Sequence, residues 1–326
     1  MMDFERRKPM SGSTPLHAAQ KTAVMGGGAV GCYYGGLLAR AGADVTLIGR
    51  PAHVDAITRD GLWFEGLHFQ EYIAMRASTD AAACVGAELV LMCVKTPATE
   101  AATREIAPYL APGALVLSLQ NGVENAAKIR SECANPVAAA VVYVGCAMSG
   151  PGRLKHTGRG DLVIGSDARQ GQVPAERLHA LAGVLERAGV PCKVSDNIEG
   201  ELWGKLLINC ACNAVSALGK ARYGRMVELP ETRELMQGLV MEVLAVAKAA
   251  GVVMPPGDWI EIAIGLARGM AQTTSSTAQD LARGKKTEID HLNGVIVRRG
   301  AALGVAVPLN SALYGLTKLL EESVAG

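Results

Sequence analysis

The stretch TAVMGGGAVGCYYGGLLARAG, residues 22–42, decides the fold. It begins with an apolar β-like run at 22–25, passes through Gly26, Gly28 and Gly31 in G-x-G-x-x-G spacing, and continues with helical character. The spacing alone is common; a strand before it and a helix after it supply the context in which each glycine has its own job. Gly26 permits a tight turn, Gly28 lets a pyrophosphate approach the backbone, and Gly31 lets helix and strand pack closely. The free amides and partial positive charge of the helix start, at Ala29, Val30 and Gly31, then favour phosphate. The segment reads as the opening strand, turn and helix of a dinucleotide-binding sheet.

Outward from it, DVTLI at 44–48, LVLMCV at 89–94, ALVLSL at 114–119 and AAAVVYV at 138–144 are near-continuous apolar runs separated by helical stretches. That pattern marks a parallel sheet covered on both faces. DLVIG at 161–165 and VPCKV at 190–194 add two strands around a helix at 174–188. From residue 199 the strand signal ends, and helices are expected at about 199–219, 230–250, 256–283, 287–303 and 308–323. The fold class is therefore an α/β Rossmann domain with a mainly parallel sheet, at 21–195, followed by an all-α domain at 196–326. Residues 1–20 lack an apolar signal core and read as a flexible lead-in.

The 326 residues are 49% hydrophobic and 19% charged, a globular composition with ample apolar material for a core. Aromatics make up only 4%, so that core is built from aliphatic residues. A net charge of +1 indicates neither a nucleic-acid surface nor a polybasic membrane anchor. No apolar run is long enough to span a bilayer. The eight cysteines are scattered without a Cys-x-x-Cys pair, as expected of reduced thiols in a cytoplasmic protein with no metal site.

An NAD-binding sheet places an acid after its second strand, about 20 residues past the glycines. Here Gly49 and Arg50 follow that strand, and an Arg can pair with a 2′-phosphate through its planar fork. This points to NADP(H), although nearby Asp55 keeps NADH open. Lys95 and Asn121 each follow a strand, at the carboxyl ends where parallel sheets bind ligands. Lys95 could reach the ribose phosphate, and Asn121 the nicotinamide or the substrate; a surface Lys and a simple Asn-Gly turn are the plain alternatives.

LWGKLLINCACNAVSAL at 202–218 carries the chemistry. Lys205, Asn209 and Asn213 recur every fourth residue and form one polar stripe on an otherwise apolar helix. A Lys in such surroundings loses hydration and its pKa falls, which suits proton donation near neutral pH. A solvent-facing edge with a snorkelling Lys would give the same stripe. A second group, Ser275, Ser276, Asp280, Glu288 and Asp290, surrounds a Gly-Lys-Lys break in helical periodicity. Ser276 and Glu288 could face the same cleft, or belong to a solvated charged face.

Together GGGAVG (26–31), VKT (94–96), QNGVEN (120–125), HTGRG (156–160), the 202–218 helix, SSTAQD (275–280), TEIDHLNG (287–294) and GVAVPLN (304–310) resemble the ketopantoate reductase family over about residues 21–320. The resemblance implies NADPH-dependent reduction of 2-dehydropantoate to (R)-pantoate, a step of pantothenate and coenzyme A synthesis. It also implies a site in the cleft between the two domains. It makes Lys205 the general acid and Glu288 the carboxylate supporting it. Asn121, Asn209, Asn213 and Ser276 become substrate or nicotinamide contacts, and Arg50 and Lys95 the 2′-phosphate ligands. Where better-known members carry Gln, this chain has Ala98, which removes one cofactor contact. The expected partner is a small 2-keto acid, with no nucleic acid and no membrane; the oligomeric state, a homodimer included, is left open. Two alternatives remain. One is an NADP-dependent dehydrogenase of the same plan acting on another 2-keto or hydroxy acid or an opine. The other is a non-catalytic dinucleotide sensor, which would have no need of Lys205, Asn209 and Glu288.

Overall fold

The computed structural model describes residues 20–166 and 173–324. The expected lead-in at 1–20 lies outside the described residues except for Gln20, which is buried. Among the described residues ten strands form one sheet: β1 (Lys21–Met25), β2 (Asp44–Ile48), β3 (Leu62–Glu65), β4 (Gln70–Ile73), β5 (Arg76–Ser78), β6 (Ala87–Met92), β7 (Leu110–Ser118), β8 (Val137–Gly150), β9 (Arg153–Gly165) and β10 (Cys192–Val194). The run β5-β2-β1-β6-β7-β8 is parallel throughout. β9 folds back antiparallel on β8, then pairs with both β3 and β10 in parallel, and β4 closes the far edge against β3. The α/β class with a mainly parallel sheet and a helical C-terminal part is borne out.

Helices α1 (Ala29–Arg40), α2 (Pro51–Asp60), α3 (Thr99–Ile106), α4 (Asn125–Glu132) and α5 (Ala175–Arg187) accompany the sheet. Because β3 follows β2 in sequence yet lies beside β9, the sheet curls, and α1 touches β2 on one side and β3, β8 and β9 on the other. That enclosure explains why Tyr33, Tyr34, Leu37 and Leu38 of α1 are all buried. β3, β4 and β5 were not expected. Their short LWFE and QEYI runs are stabilised by pairing with distant strands rather than by local pattern.

The helical part holds α6 (Ile198–Leu218), α7 (Tyr223–Glu228), α8 (Pro230–Ala249), α9 (Trp259–Gly269), α10 (Ser276–Ala282), α11 (Asn293–Leu303) and α12 (Pro308–Val324). α6 begins where the Asn197 side chain accepts from the Gly200 amide, with Glu199 and Glu201 in its first turn. It packs against α8, α10, α12 and β8, so most of its residues are buried. Two helix expectations need correction. The stretch 256–283 is two helices, because Asp258 caps one and Ser275 caps the next. The stretch 287–303 becomes an α-helix only at Asn293. Before that, the Thr287 amide and hydroxyl are held by the Glu321 carboxylate, and a short 3-10 turn spans Ile289–His291. Among the described residues no helix is long and apolar enough to cross a membrane, and no His, Cys, Asp and Glu cluster fits a metal.

Candidate active site

β1 and β6 lie side by side where the strand order reverses, with β2 and β5 to one side and β7 and β8 to the other. Open parallel sheets bind ligands at the carboxyl ends of such strands. Gly26 there has φ +118°, and a Cβ would lie 2.8 Å from the Cys93 carbonyl carbon and the Val94 nitrogen. A Cβ on Gly31 would overlap the Gly26 carbonyl oxygen. Gly28 is the opposite case, with nothing within 4 Å of where its Cβ would stand. The loop is thus tight on its inner side and open above the first turn of α1, which carries no acid. Gly26, Gly28, Ala29, Val30 and Gly31 therefore fit a pyrophosphate, offering free amides and an open approach.

Arg50 follows β2 as the residue before α2; it is exposed, with no ion-pair partner among the described residues. Asp55 lies on α2, also exposed. Lys95 differs from Arg50. Its Nζ is 2.8 Å from Asp280 Oδ2 of α10 and donates to the Lys286 carbonyl at 3.4 Å, so it bridges the sheet to the helical part.

Beside that bridge, three groups meet across the cleft. Thr96, buried just after Lys95, places its amide and hydroxyl each 3.4 Å from Glu288 Oε1. Asn121, after β7, donates its side-chain amide to Glu288 Oε2 at 3.2 Å. The Asn121 carbonyl in turn accepts from Thr96 Oγ1 at 3.1 Å and from Asn125 Nδ2 at 2.7 Å. Glu288 is thereby fixed by both sheet loops.

Lys205 projects from α6 into the same cleft. Its ammonium donates to the Val142 carbonyl of β8 and lies 5.7 Å from the centroid of the Tyr143 ring. Burial pulls its pKa down from the usual 10.5 to about 8; the Glu288 charge works against that shift and the Arg159 charge adds to it. A lysine with a weakened hold on its proton, counter-charged but not hydrogen-bonded by a carboxylate, can donate that proton to a developing oxyanion.

Asn209, one turn further on, is half-buried, and its side chain makes no hydrogen bond to another described residue, so its amide group is available to a ligand. Asn213 is not: its Oδ1 accepts from the Tyr223 hydroxyl at 3.2 Å and its carbonyl from Ser275 Oγ at 2.9 Å. Ser276 is exposed as the first residue of α10, whereas Ser275 is buried as that helix's cap. The structure therefore brings Lys205, Glu288 and Asn121 together, leaves Asn209 on the same helix face, and ties Asn213 into the helical core. Sequence reasoning missed Thr96, although it stands within VKT at a strand's carboxyl end. It also missed Tyr143, which lies on β8 with nothing local to mark it.

A family model described as Ketopantoate reductase PanE/ApbA matches residues 22–169, and one described as Ketopantoate reductase PanE/ApbA C terminal matches residues 197–321. A 2-dehydropantoate 2-reductase of Pyrococcus horikoshii is 31% identical over 309 residues, covering 94% of this chain and 99% of the relative. The crystal structure of a PanE/ApbA family ketopantoate reductase from Ralstonia eutropha JMP134 matches with a TM-score of 0.87 at 50% identity, over 94% of this chain and 100% of that one. A D-mandelate dehydrogenase solved with NADH and anilino(oxo)acetate shares the fold, with a TM-score of 0.85 at 23% identity over 94% of this chain and 100% of that one. In both its sheet and its helical part, the chain belongs to the ketopantoate reductase family of dinucleotide-dependent oxidoreductases.

Proposed function

We propose that this protein uses NADPH to reduce a 2-keto acid, with 2-dehydropantoate, giving (R)-pantoate for pantothenate synthesis, as first choice. Residues 21–195 serve as the NADP-binding domain and residues 196–326 as the substrate domain. The observation that carries the reading is the half-buried Lys205, its pKa lowered to about 8 and its charge facing Glu288 across the cleft. The curated relatives named 2-dehydropantoate 2-reductase support the choice of substrate.

Bound NADPH supplies the hydride. Gly26, Gly28, Ala29, Val30 and Gly31 receive the pyrophosphate, and Arg50 offers its planar fork to the 2′-phosphate. Lys95 is the second cation for that phosphate, and its ion pair with Asp280 is then shared or given up. Asn121 and Asn209 hydrogen-bond the reacting carbonyl region and Ser276 borders the substrate pocket. Asn213, expected to touch the substrate, is held in the helical core by Tyr223 and supports the helix behind it. As negative charge develops on the carbonyl oxygen, the Lys205 ammonium stabilises it and delivers the proton. Glu288 keeps Lys205 charged, against the cost of burial. Approach of the two domains excludes water.

The test is NADPH oxidation by purified protein on addition of 2-dehydropantoate, set against a panel of other 2-keto acids. Preferred turnover of 2-dehydropantoate is the expected result. Much faster turnover of another 2-keto acid retires the specific substrate, and no oxidation with any of them retires the reductase reading.

A further inference from the structure

HTGRG at 156–160 carries part of the family resemblance, yet the mechanism above makes no use of it. Within it Arg159 has φ +53°, in the left-handed region that non-glycine residues enter reluctantly, although glycines stand on both sides. The ladder between β8 and β9 shifts register at this point, between Tyr143 and Val144, and the His156 ring meets the Arg159 carbonyl oxygen. Such a bulge re-aims a side chain. The re-aimed guanidinium is held on two sides. Nε and Nη2 bind the Asp161 carboxylate at 3.0 and 2.7 Å, and Cζ lies 4.1 Å from the Tyr143 ring centroid. Lys205 Nζ lies 5.7 Å from the same centroid, so two cations share one aromatic ring at the cleft. The Arg159 side chain is 50% exposed, which leaves its remaining donors accessible.

A 2-keto acid brings a carboxylate next to its carbonyl. Lys205 is committed to the carbonyl oxygen, Asn209 is neutral, and Glu288 repels an anion. The carboxylate needs a second cation, and a planar fork suits it best. A guanidinium already immobilised by Asp161 and Tyr143 loses little freedom on binding. We propose that Arg159 is the specificity-determining cation of the site. It receives the substrate carboxylate beside Tyr143 and so selects 2-keto acids over neutral ketones. The inference rests on the 2-keto acid reductase reading.

The experiment is steady-state kinetics of Arg159→Gln, Arg159→Lys and Arg159→Gly on the best 2-keto acid and on its neutral primary amide, with NADPH affinity measured alongside. Arg159→Gly releases the left-handed strain, so it keeps the test open should the Gln variant fail to fold. Loss of a charge-assisted bidentate contact should raise KM for the acid by about 10- to 100-fold in the Gln and Gly variants. NADPH affinity should stay near wild type, the preference for acid over amide should shrink by the same factor, and Lys should restore part of it. An unchanged KM for the acid, or equal losses on acid and amide, overturns the assignment. If wild type reduces 2-keto acids but the Gln and Gly variants keep the acid preference, only this inference fails. If wild type reduces none, the parent reading fails and takes this one with it.

Discussion

Glu288 accepts the side-chain amide of Asn121 at 3.2 Å, a bond that joins the loop after β7 to the segment leading into α11. Thr96, from the loop after β6, reaches the other oxygen of the same carboxylate. One acid therefore braces two sheet loops against the helical part, while its charge raises the proton affinity of Lys205. Brace and counter-charge can be separated by substitution.

Glu288→Gln keeps one carbonyl oxygen, enough for the Thr96 amide and hydroxyl, and removes the charge. Lys205 then loses the favourable interaction that opposes its burial, so its pKa should fall further below about 8. The alkaline limb of the reduction should move to lower pH, and the loss of rate should be larger in alkaline than in mildly acidic buffer. A pH–rate profile of kcat/KM reads this directly; an unmoved limb would show that Glu288 acts as a brace alone.

The glycines of the cradle should part company. A methyl group on Gly28 meets nothing within 4 Å, so Gly28→Ala should fold with a Tm near wild type while losing dinucleotide affinity, because the methyl stands where the pyrophosphate approaches. On Gly31 the same methyl overlaps the Gly26 carbonyl, and Gly31→Ala should lose stability as well as affinity. Paired thermal melts and cofactor titrations distinguish the two. Full dinucleotide affinity in Gly28→Ala would move the pyrophosphate elsewhere.

Arg50 is exposed and lacks an ion-pair partner among the described residues, so its removal should cost the fold little. If it binds the 2′-phosphate, Arg50→Ala should raise the Kd for NADPH by roughly 10- to 150-fold, the equivalent of about 1.5–3 kcal/mol. NADH, which lacks that phosphate, should be nearly unaffected. Equal weakening of both cofactors would detach Arg50 from cofactor discrimination.

The sheet and the Lys205 helix were legible because their signals are local. Apolar runs, the glycine spacing and a polar residue every fourth position all lie within single elements. What stayed hidden depends on distant partners. β3 owes its place to β9, and Thr96 its relevance to Glu288, far along the chain. Ser275 and Ser276 look alike in sequence, yet the cap of α10 buries the first and exposes the second. Asn213 continues the stripe of Lys205 and Asn209, but Tyr223 draws its side chain into the helical core.

Lys205 is the residue on which the proposed chemistry depends most. Lys205→Ala should lower kcat by about 10²- to 10⁴-fold, the usual cost of losing a general acid, with NADPH affinity nearly unchanged because the residue belongs to α6. Lys205→Arg should rescue poorly, since a guanidinium keeps its proton at any working pH and differs in shape. Wild-type reduction should decline as pH rises through about 8, where the ammonium is lost. The same shift has a stability signature. The folded chain holds the Lys205 proton less tightly than the unfolded chain does. Between about 8 and the usual 10.5 it therefore binds fewer protons, and stability should rise with pH across that window. Lys205→Met has no proton to lose and should flatten that rise in a series of denaturant melts. A surface lysine would predict near-normal turnover in Lys205→Ala and no change of slope in Lys205→Met. That pair of results would remove Lys205 from the mechanism.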